Sequence, residues 1–314
     1  MINWVSSEEA DVPDVLVVLN RAAGTADDES VEAALTELRR GADVRVAATA
    51  DRSELAQVVR ERGDSRLVIV GGDGSVHAAV GALDSVAGLD PGEPVGIIPL
   101  GTGNDLARTL GLPLDPVEAA AVVLTGRPRP LDLVRDDSGA LVVNAVHVGL
   151  GARASAEALR FKDRLGTAAY PLGAAVAGVT ASGEELRVEA DGSVVAHEGE
   201  GWSADGRTGV LMAAVCNAPS IAGGTPLAPG ALVDDGLVDV VVSTATGPVA
   251  RAAFAAALLT GAHVERPDVV VVRARQVSFS GGPVELVADG ELQDGVRSRT
   301  WRVDHHAWSV LVPR

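Results

Sequence analysis

Two apolar runs that each end abruptly in a glycine-rich loop set the tightest limit on how this chain folds. Arg66-Leu67-Val68-Ile69-Val70 runs into Gly71-Gly72-Asp73-Gly74-Ser75, and Val95-Gly96-Ile97-Ile98-Pro99 runs into Leu100-Gly101-Thr102-Gly103-Asn104-Asp105. Continuous apolar runs of this length, bounded by such punctuation, read as strands buried on both faces. Residues without a Cβ at the strand ends let backbone N–H groups come close to a ligand. Two such loops at the carboxyl ends of neighbouring parallel strands make a site for a polyphosphate, so the pattern predicts a bound nucleotide and phosphoryl chemistry.

The flanking sequence supports that frame. Residues 15–19 and 44–48 read as further strands. Ser30 reads as the cap of an amphipathic run over 31–40 that Gly41 stops, and 53–62 as a second helix. Helices are also expected from about Ser75 to Leu83, from near Asn104, and over 116–124. Strand and helix in strict alternation predict an α/β domain with a parallel sheet over 1–133. Gly126-Arg127-Pro128-Arg129-Pro130 reads as a hinge. Beyond it, strands are expected at 141–148, 184–190, 194–198, 208–216, 236–243, 276–280, 284–288 and 308–312, with helices at 152–162, 167–180 and 248–260. Asp191-Gly192 is a two-residue hairpin signal. A mainly antiparallel second domain over 134–304 follows, with 305–314 returning to the first.

Composition narrows the function classes. A net charge of −17 argues against nucleic-acid binding and against general attraction to anionic membranes. Cys216 is the only cysteine, which excludes an internal disulfide or a multi-cysteine zinc site. The first 14 residues are acidic and lack a signal-peptide pattern, and the weakly polar stretch 167–181 is too short to span a bilayer. A soluble protein of a reducing compartment, the cytoplasm, is expected.

The chemistry lies in the loops. A carboxylate at Asp73 beside phosphates would be repelled unless a divalent cation lay between them. Thr102 offers a phosphate its hydroxyl, and Asp105 adds a second carboxylate where it also complements a helix dipole.

Seven segments in order resemble the soluble diacylglycerol kinase and sphingosine kinase family, in its bacterial lipid-kinase branch: 20–24, 71–75, 99–108, 144–152, 217–240, Asp289-Gly290-Glu291 and 310–313. The resemblance implies an active site in a cleft between the nucleotide-binding α/β domain and a β-sandwich domain. ATP would contact Asn20, Thr49, Gly71, Gly72, Asp73, Gly74, Ser75, Val76, His77, Gly101, Thr102 and Asn104. Asp73, Asp105 and Asp132 match acids that organise a catalytic Mg2+, and Glu291 matches the general base, supported by Asp289. Asp235, with the carbonyls of Leu232 and Leu237, matches a structural Mg2+ site. Ser75 stands where threonine is usual, His77 where asparagine is, and Arg21 where proline is; none removes an acid, so an active enzyme is expected.

The implied partner is a lipid with a free hydroxyl, diacylglycerol first, with a sphingoid base, ceramide or phosphatidylglycerol as variants. Residues 152–179, with Arg160, Lys162 and Arg164 on their polar side, read as the lipid-facing segment, and membrane contact as local and transient. His147 reads as a core residue, and His305-His306 lacks metal-ligand spacing. NAD kinase and a nucleotide-binding regulator without turnover remain alternatives, and the oligomeric state, a homodimer included, stays open.

Overall fold

The structure, a computed structural model, describes residues 13–20, 28–149, 184–195, 208–245 and 247–314. In its first part, strands β1 (Asp14–Asn20), β2 (Asp43–Thr49), β3 (Arg66–Gly71) and β4 (Gly96–Pro99) form a parallel sheet in the order β2-β1-β3-β4. All four carboxyl ends, at Asn20, Thr49, Gly71 and Pro99, lie on one edge. The strands are buried on both faces because helices cover both. Val15, Val17, Val68, Val70 and Ile98 pack against α1 (Asp28–Leu38) and α5 (Pro116–Thr125). The alternate residues Leu16, Val18, Leu67, Ile69 and Ile97 pack against α2 (Arg52–Arg60), α3 (Asp73–Val86) and α4 (Asp105–Thr109). Each such fully buried aliphatic side chain contributes about 1.5–3 kcal/mol.

Local chemistry fixes the helix starts. Asp51 caps α2 by accepting from the Ser53 and Glu54 N–H groups, and Asp115 caps α5 ahead of Pro116. Ser30 is not a cap: α1 already begins at Asp28, so Ser30 lies in its first turn with Asp28 and Glu29 complementing the dipole. Helix α3 starts at Asp73, earlier than the pattern predicted, with Gly72 as its cap.

The expected hinge is a strand. Residues Arg127–Asp136 form β5, paired antiparallel with the last strand. Prolines two apart leave their missing N–H groups on one strand edge, and here that edge faces away from the partner. Asp132, of the same parity, donates its N–H to the Val233 carbonyl instead. Pro128 and Pro130 therefore cost the ladder nothing.

The second part is one 11-stranded, mainly antiparallel sheet among the described residues. Its remaining strands are β6 (Leu141–Val142), β7 (Ala145–Gly149), β8 (Glu184–Ala190), β9 (Ser193–Val194), β10 (Thr208–Val210), β11 (Met212–Cys216), β14 (Val238–Ser243), β15 (Val269–Ala274), β16 (Gln276–Ala288) and β17 (Glu291–Val312); β12 (Ser220–Ile221) and β13 (Thr225–Pro226) pair separately. Strand β16 pairs with β17 along one edge and with β8 and then β7 along the other. The two leaves so formed enclose a core of Val134, Val146, Leu186, Val240, Val277 and Trp301, the interior of a sandwich.

Several expected strands change length. The run 141–148 breaks at Val143 and Asn144, whose N–H groups are drawn to a side chain, and 208–216 breaks at Leu211. The runs 276–280 and 284–288 are one strand with bulges, and β15 was not expected. The last strand spans 22 residues rather than the 308–312 expected. Its far end lies beside the first sheet: Val95 donates to the Ser309 carbonyl and Leu311 donates back to the Val95 carbonyl. Asp191 and Gly192, both at positive φ, make the expected hairpin. The expected helices at 152–162 and 167–180, residues 21–24 and 196–198, and the segment 152–179 with Arg160, Lys162 and Arg164 lie outside the described residues.

Candidate active site

At the carboxyl edge of the parallel sheet the two glycine loops touch backbone to backbone. A Cβ on Gly101 would lie 2.4 Å from the Gly72 Cα, and one on Gly72 would lie 2.9 Å from the Gly101 Cα. Leu100 N–H donates to the Gly71 carbonyl, and Asn104, at φ 54°, accepts from the Gly101 N–H and donates to the Gly101 carbonyl. Gly74 differs from these. It is exposed, its φ is ordinary, and an added Cβ would meet nothing within 4 Å, although glycine in a helix costs about 0.5–1 kcal/mol against alanine. Nothing among the described residues requires glycine there; a ligand approaching the backbone from outside would. Thr102 is exposed on the second loop, Asn20 and Thr49 end β1 and β2 on the same edge, and Ser75 and Val76 are buried in the first turn of α3.

Asp73 is the first residue of α3, directly after the Gly71-Gly72 turn. Its carboxylate accepts from the Asp105 and Leu106 N–H groups, both at 3.0 Å, and so caps α4. Asp105 reaches onward, accepting from Ser220 Oγ at 3.0 Å and from the Gly223 and Gly224 N–H groups at 2.8 Å. These two acids thereby lock both loops to a loop of the second part. Burial pushes the Asp105 carboxyl above its ordinary value, and the Asp73 charge pushes the same way against the two backbone bonds.

Across the seam, Asp289 (φ 45°) and Gly290 (φ 87°) turn β16 into β17. The Asp289 side chain is 2% exposed and accepts from the Val143, Asn144 and Ala145 N–H groups at 2.6, 2.9 and 3.1 Å. Burial pushes its pKa up, opposed by nearby His77 and by those three bonds. Glu291, one residue past the turn, has a side chain 51% exposed and pairs with Arg52 of α2. His77 of α3 faces both acids: Nε2 lies 4.0 Å from Asp289, and Nδ1 lies 3.9 Å from Glu291. A cavity of about 270 Å³ opens here, lined by Arg52, His77, Asp84, Leu141, Glu291 and Trp301 among others. The Arg135–Asp84 ion pair holds its α3 wall against β5.

Asp132 is bonded elsewhere. Its fully buried carboxylate accepts from the Gly236 N–H at 2.6 Å, the His306 N–H at 2.8 Å and His305 Nδ1 at 2.7 Å. Sequence spacing gave His305 and His306 no role. A register shift between Asp304 and Trp308 bulges them out of β17, with His306 at φ 51°, and sets both over Asp132. The three side chains can bring ligand atoms within 4.8 Å of one another, and the carboxylate accepts from three N–H donors that tie β5 to β17 and to the 234–236 turn. His147, as expected, is a core residue: burial lowers its pKa to about 4.

The expected structural cation position is crowded. Asp235 accepts from the Leu237 N–H and from Arg273, which also lies 3.6 Å from Asp239, while Leu232 is half exposed. A cation on Leu232, Asp235 and Leu237 would have to displace the half-exposed Arg273 guanidinium from Asp235. For the catalytic ion the donors do fit. Asp73 and Asp105 are neighbouring carboxylates; each Asp73 oxygen accepts one bond and Asp105 Oδ2 accepts one, which leaves these three oxygens a further lone pair.

Comparison with known proteins agrees with this geometry. The diacylglycerol kinase catalytic domain family matches residues 14–135, and the YegS C-terminal NAD kinase beta sandwich-like domain matches 144–312. A probable lipid kinase YegS-like protein of Pseudomonas aeruginosa is 32% identical over 294 residues, covering 91% of this chain and 89% of its own length. Its counterpart in Shewanella frigidimarina is 32% identical over 229 residues, covering 72% and 70%. The crystal structure of a diacylglycerol kinase from Bacillus anthracis shares the fold, with a TM-score of 0.68 at 19% identity over 97% of this chain and 98% of that one. These matches favour the lipid-kinase branch over NAD kinase. The chain belongs to the YegS-like lipid kinase family, combining a diacylglycerol kinase catalytic domain with the YegS-type C-terminal domain.

Proposed function

We propose that the protein transfers the γ-phosphate of ATP, with Mg2+, to the hydroxyl of a membrane lipid, diacylglycerol first, giving phosphatidic acid. The observation that carries this is the half-exposed carboxylate of Glu291 beside His77, one turn along the helix that starts at the first glycine loop. Residues 71–77 with Gly101, Thr102 and Asn104 would hold the triphosphate, and Asn20 and Thr49 would border it on the same sheet edge. Asp73 and Asp105 would hold the metal ion, which when bound neutralises charge on the transferring phosphoryl group. Asp132 acts at a distance, by fixing β5 to the 234–236 turn.

Glu291 would act as general base. An alcohol is a poor nucleophile until its proton leaves as the P–O bond forms, and Asp289 holds the turn so that Glu291 faces the cavity. The lipid would present only its headgroup end. Among the described residues no helix is long and apolar enough to cross a membrane, and the −17 charge opposes electrostatic docking, so membrane contact is local and transient.

Purified protein incubated with γ-labelled ATP, Mg2+ and vesicles carrying diacylglycerol, a sphingoid base, ceramide or phosphatidylglycerol should place label in phosphatidic acid. Label in another lipid would change the acceptor; label only in NADP, or none, would overturn the proposal.

A further inference from the structure

His77 stands where the resembling family usually has asparagine, and its ring has a defined tautomer. Nε2 lies 3.0 Å from the Leu141 carbonyl oxygen, which can only accept, so Nε2 carries the proton. A neutral ring then leaves its lone pair on Nδ1, the nitrogen 3.9 Å from Glu291 Oε1. The same Oε1 accepts from Arg52, so this oxygen lies between a guanidinium donor and the ring nitrogen that bears the lone pair.

We propose that His77 and Glu291 form a proton-sharing dyad, in which His77 positions Glu291 and takes up the proton that Glu291 removes. This rests on the kinase function proposed above. The acceptor O–H proton passes to Glu291 Oε1 while the alcohol oxygen bonds to the γ-phosphorus and the bond to the ADP oxygen breaks. The same proton then moves to His77 Nδ1, leaving an imidazolium that later loses it to water, and Glu291 is ionised again for the next turnover. A separation of 3.9 Å is closed by rotation of the half-exposed Glu291 side chain, as is common before substrate binds.

The surrounding charges suit this role. Glu291 and Asp289 on the hairpin lie 3.9 and 4.0 Å from the ring, and Arg52 of α2 donates to the same Glu291 Oε1 that faces Nδ1. Asp84 of α3 and Asp136 of β5 border the same cavity but are held by Arg135 and Arg299. His77 also sits one helical turn beyond Asp73, so the helix that begins at the nucleotide loop carries the second proton acceptor.

The test compares the unmodified chain with His77→Gln, whose amide keeps a donor for the Leu141 carbonyl but cannot take a proton. In the lipid phosphorylation assay, His77→Gln should lower kcat roughly tenfold and move the acid limb of kcat down by about one pH unit or more, with KM for ATP changed less than about twofold. A purely structural role would lower thermal stability and leave that limb in place, which would overturn the proposal. A second arm needs no substrate: by NMR, the His77 ring should be the Nε2–H tautomer and should titrate at lower pH in Glu291→Gln than in the unmodified chain. An unchanged titration would overturn the dyad even if the enzyme phosphorylates lipid. If no lipid is phosphorylated, the kinase proposal fails and the NMR arm still decides the dyad.

Discussion

The 71–75 loop and the 289–291 hairpin are both tight turns at strand ends, yet they present opposite chemistry. In each, one aspartate faces inward and fixes the turn by accepting backbone N–H groups: Asp73 from Asp105 and Leu106, Asp289 from Val143, Asn144 and Ala145. What is left facing out differs. The loop offers bare backbone at Gly74, suited to an anion, while the hairpin offers the carboxylate of Glu291, suited to a proton. In each turn an acid is engaged by backbone N–H groups and a neighbouring residue faces outward.

Removing the hairpin's anchor should have the largest effect on folding. Asp289→Ala leaves three buried N–H groups without their acceptor, a loss of about 3–5 kcal/mol, read as a lowered denaturant midpoint together with lost transfer. If stability held, the aspartate would not be what fixes the turn. Gly101→Ala comes next. Its Cβ would sit 2.4 Å from backbone that cannot swing aside, so the loops must part at a cost of about 1–3 kcal/mol, and the KM for ATP should rise at least about tenfold. An unaltered KM would break the link between loop contact and nucleotide binding.

An effect confined to acid pH tests the sheet behind the hairpin, where His147 pairs across from Val287. Burial lowers the folded-state pKa of His147 to about 4 from 6.5, so the unfolded chain takes up a proton first as pH falls. Its stabilising share is complete above pH 6.5 and is lost on acidification toward 4, up to about 3 kcal/mol. His147→Leu should flatten that part of the pH–stability curve; an unchanged curve would place the loss in other groups.

Much of the first part was legible because its signals are local. A buried strand, a glycine loop and an aspartate cap each lie within a few residues, as at 66–75 and Asp115-Pro116. The Asp289-Gly290 turn is just as local, two residues at positive φ, but the role given to Glu291 came from the family resemblance and not from its spacing. Other features depend on pairing between distant segments. The prolines at 128 and 130 read as a hinge because only the unpaired outer edge of β5 makes them acceptable in a strand. The long ribbon of β17 carries Arg297, Arg299, Arg302 and Asp304 at positions where a buried strand would be apolar, so its length was hidden. The His305–His306 bulge and the placement of Arg273 beside Asp235 need the register of strands far apart in sequence. The partners of each acid were invisible for that reason: Asp132 was grouped with Asp73 and Asp105, yet its bonds run to Gly236, His305 and His306.

The most direct measurement is the paired comparison of phosphoryl transfer and ATP affinity in Glu291→Gln. Its exposed side chain predicts an unchanged melting temperature, ATP affinity within about twofold, and transfer reduced at least about a hundredfold. Full transfer by this variant would contradict the claim that the outward carboxylate of the hairpin is the base.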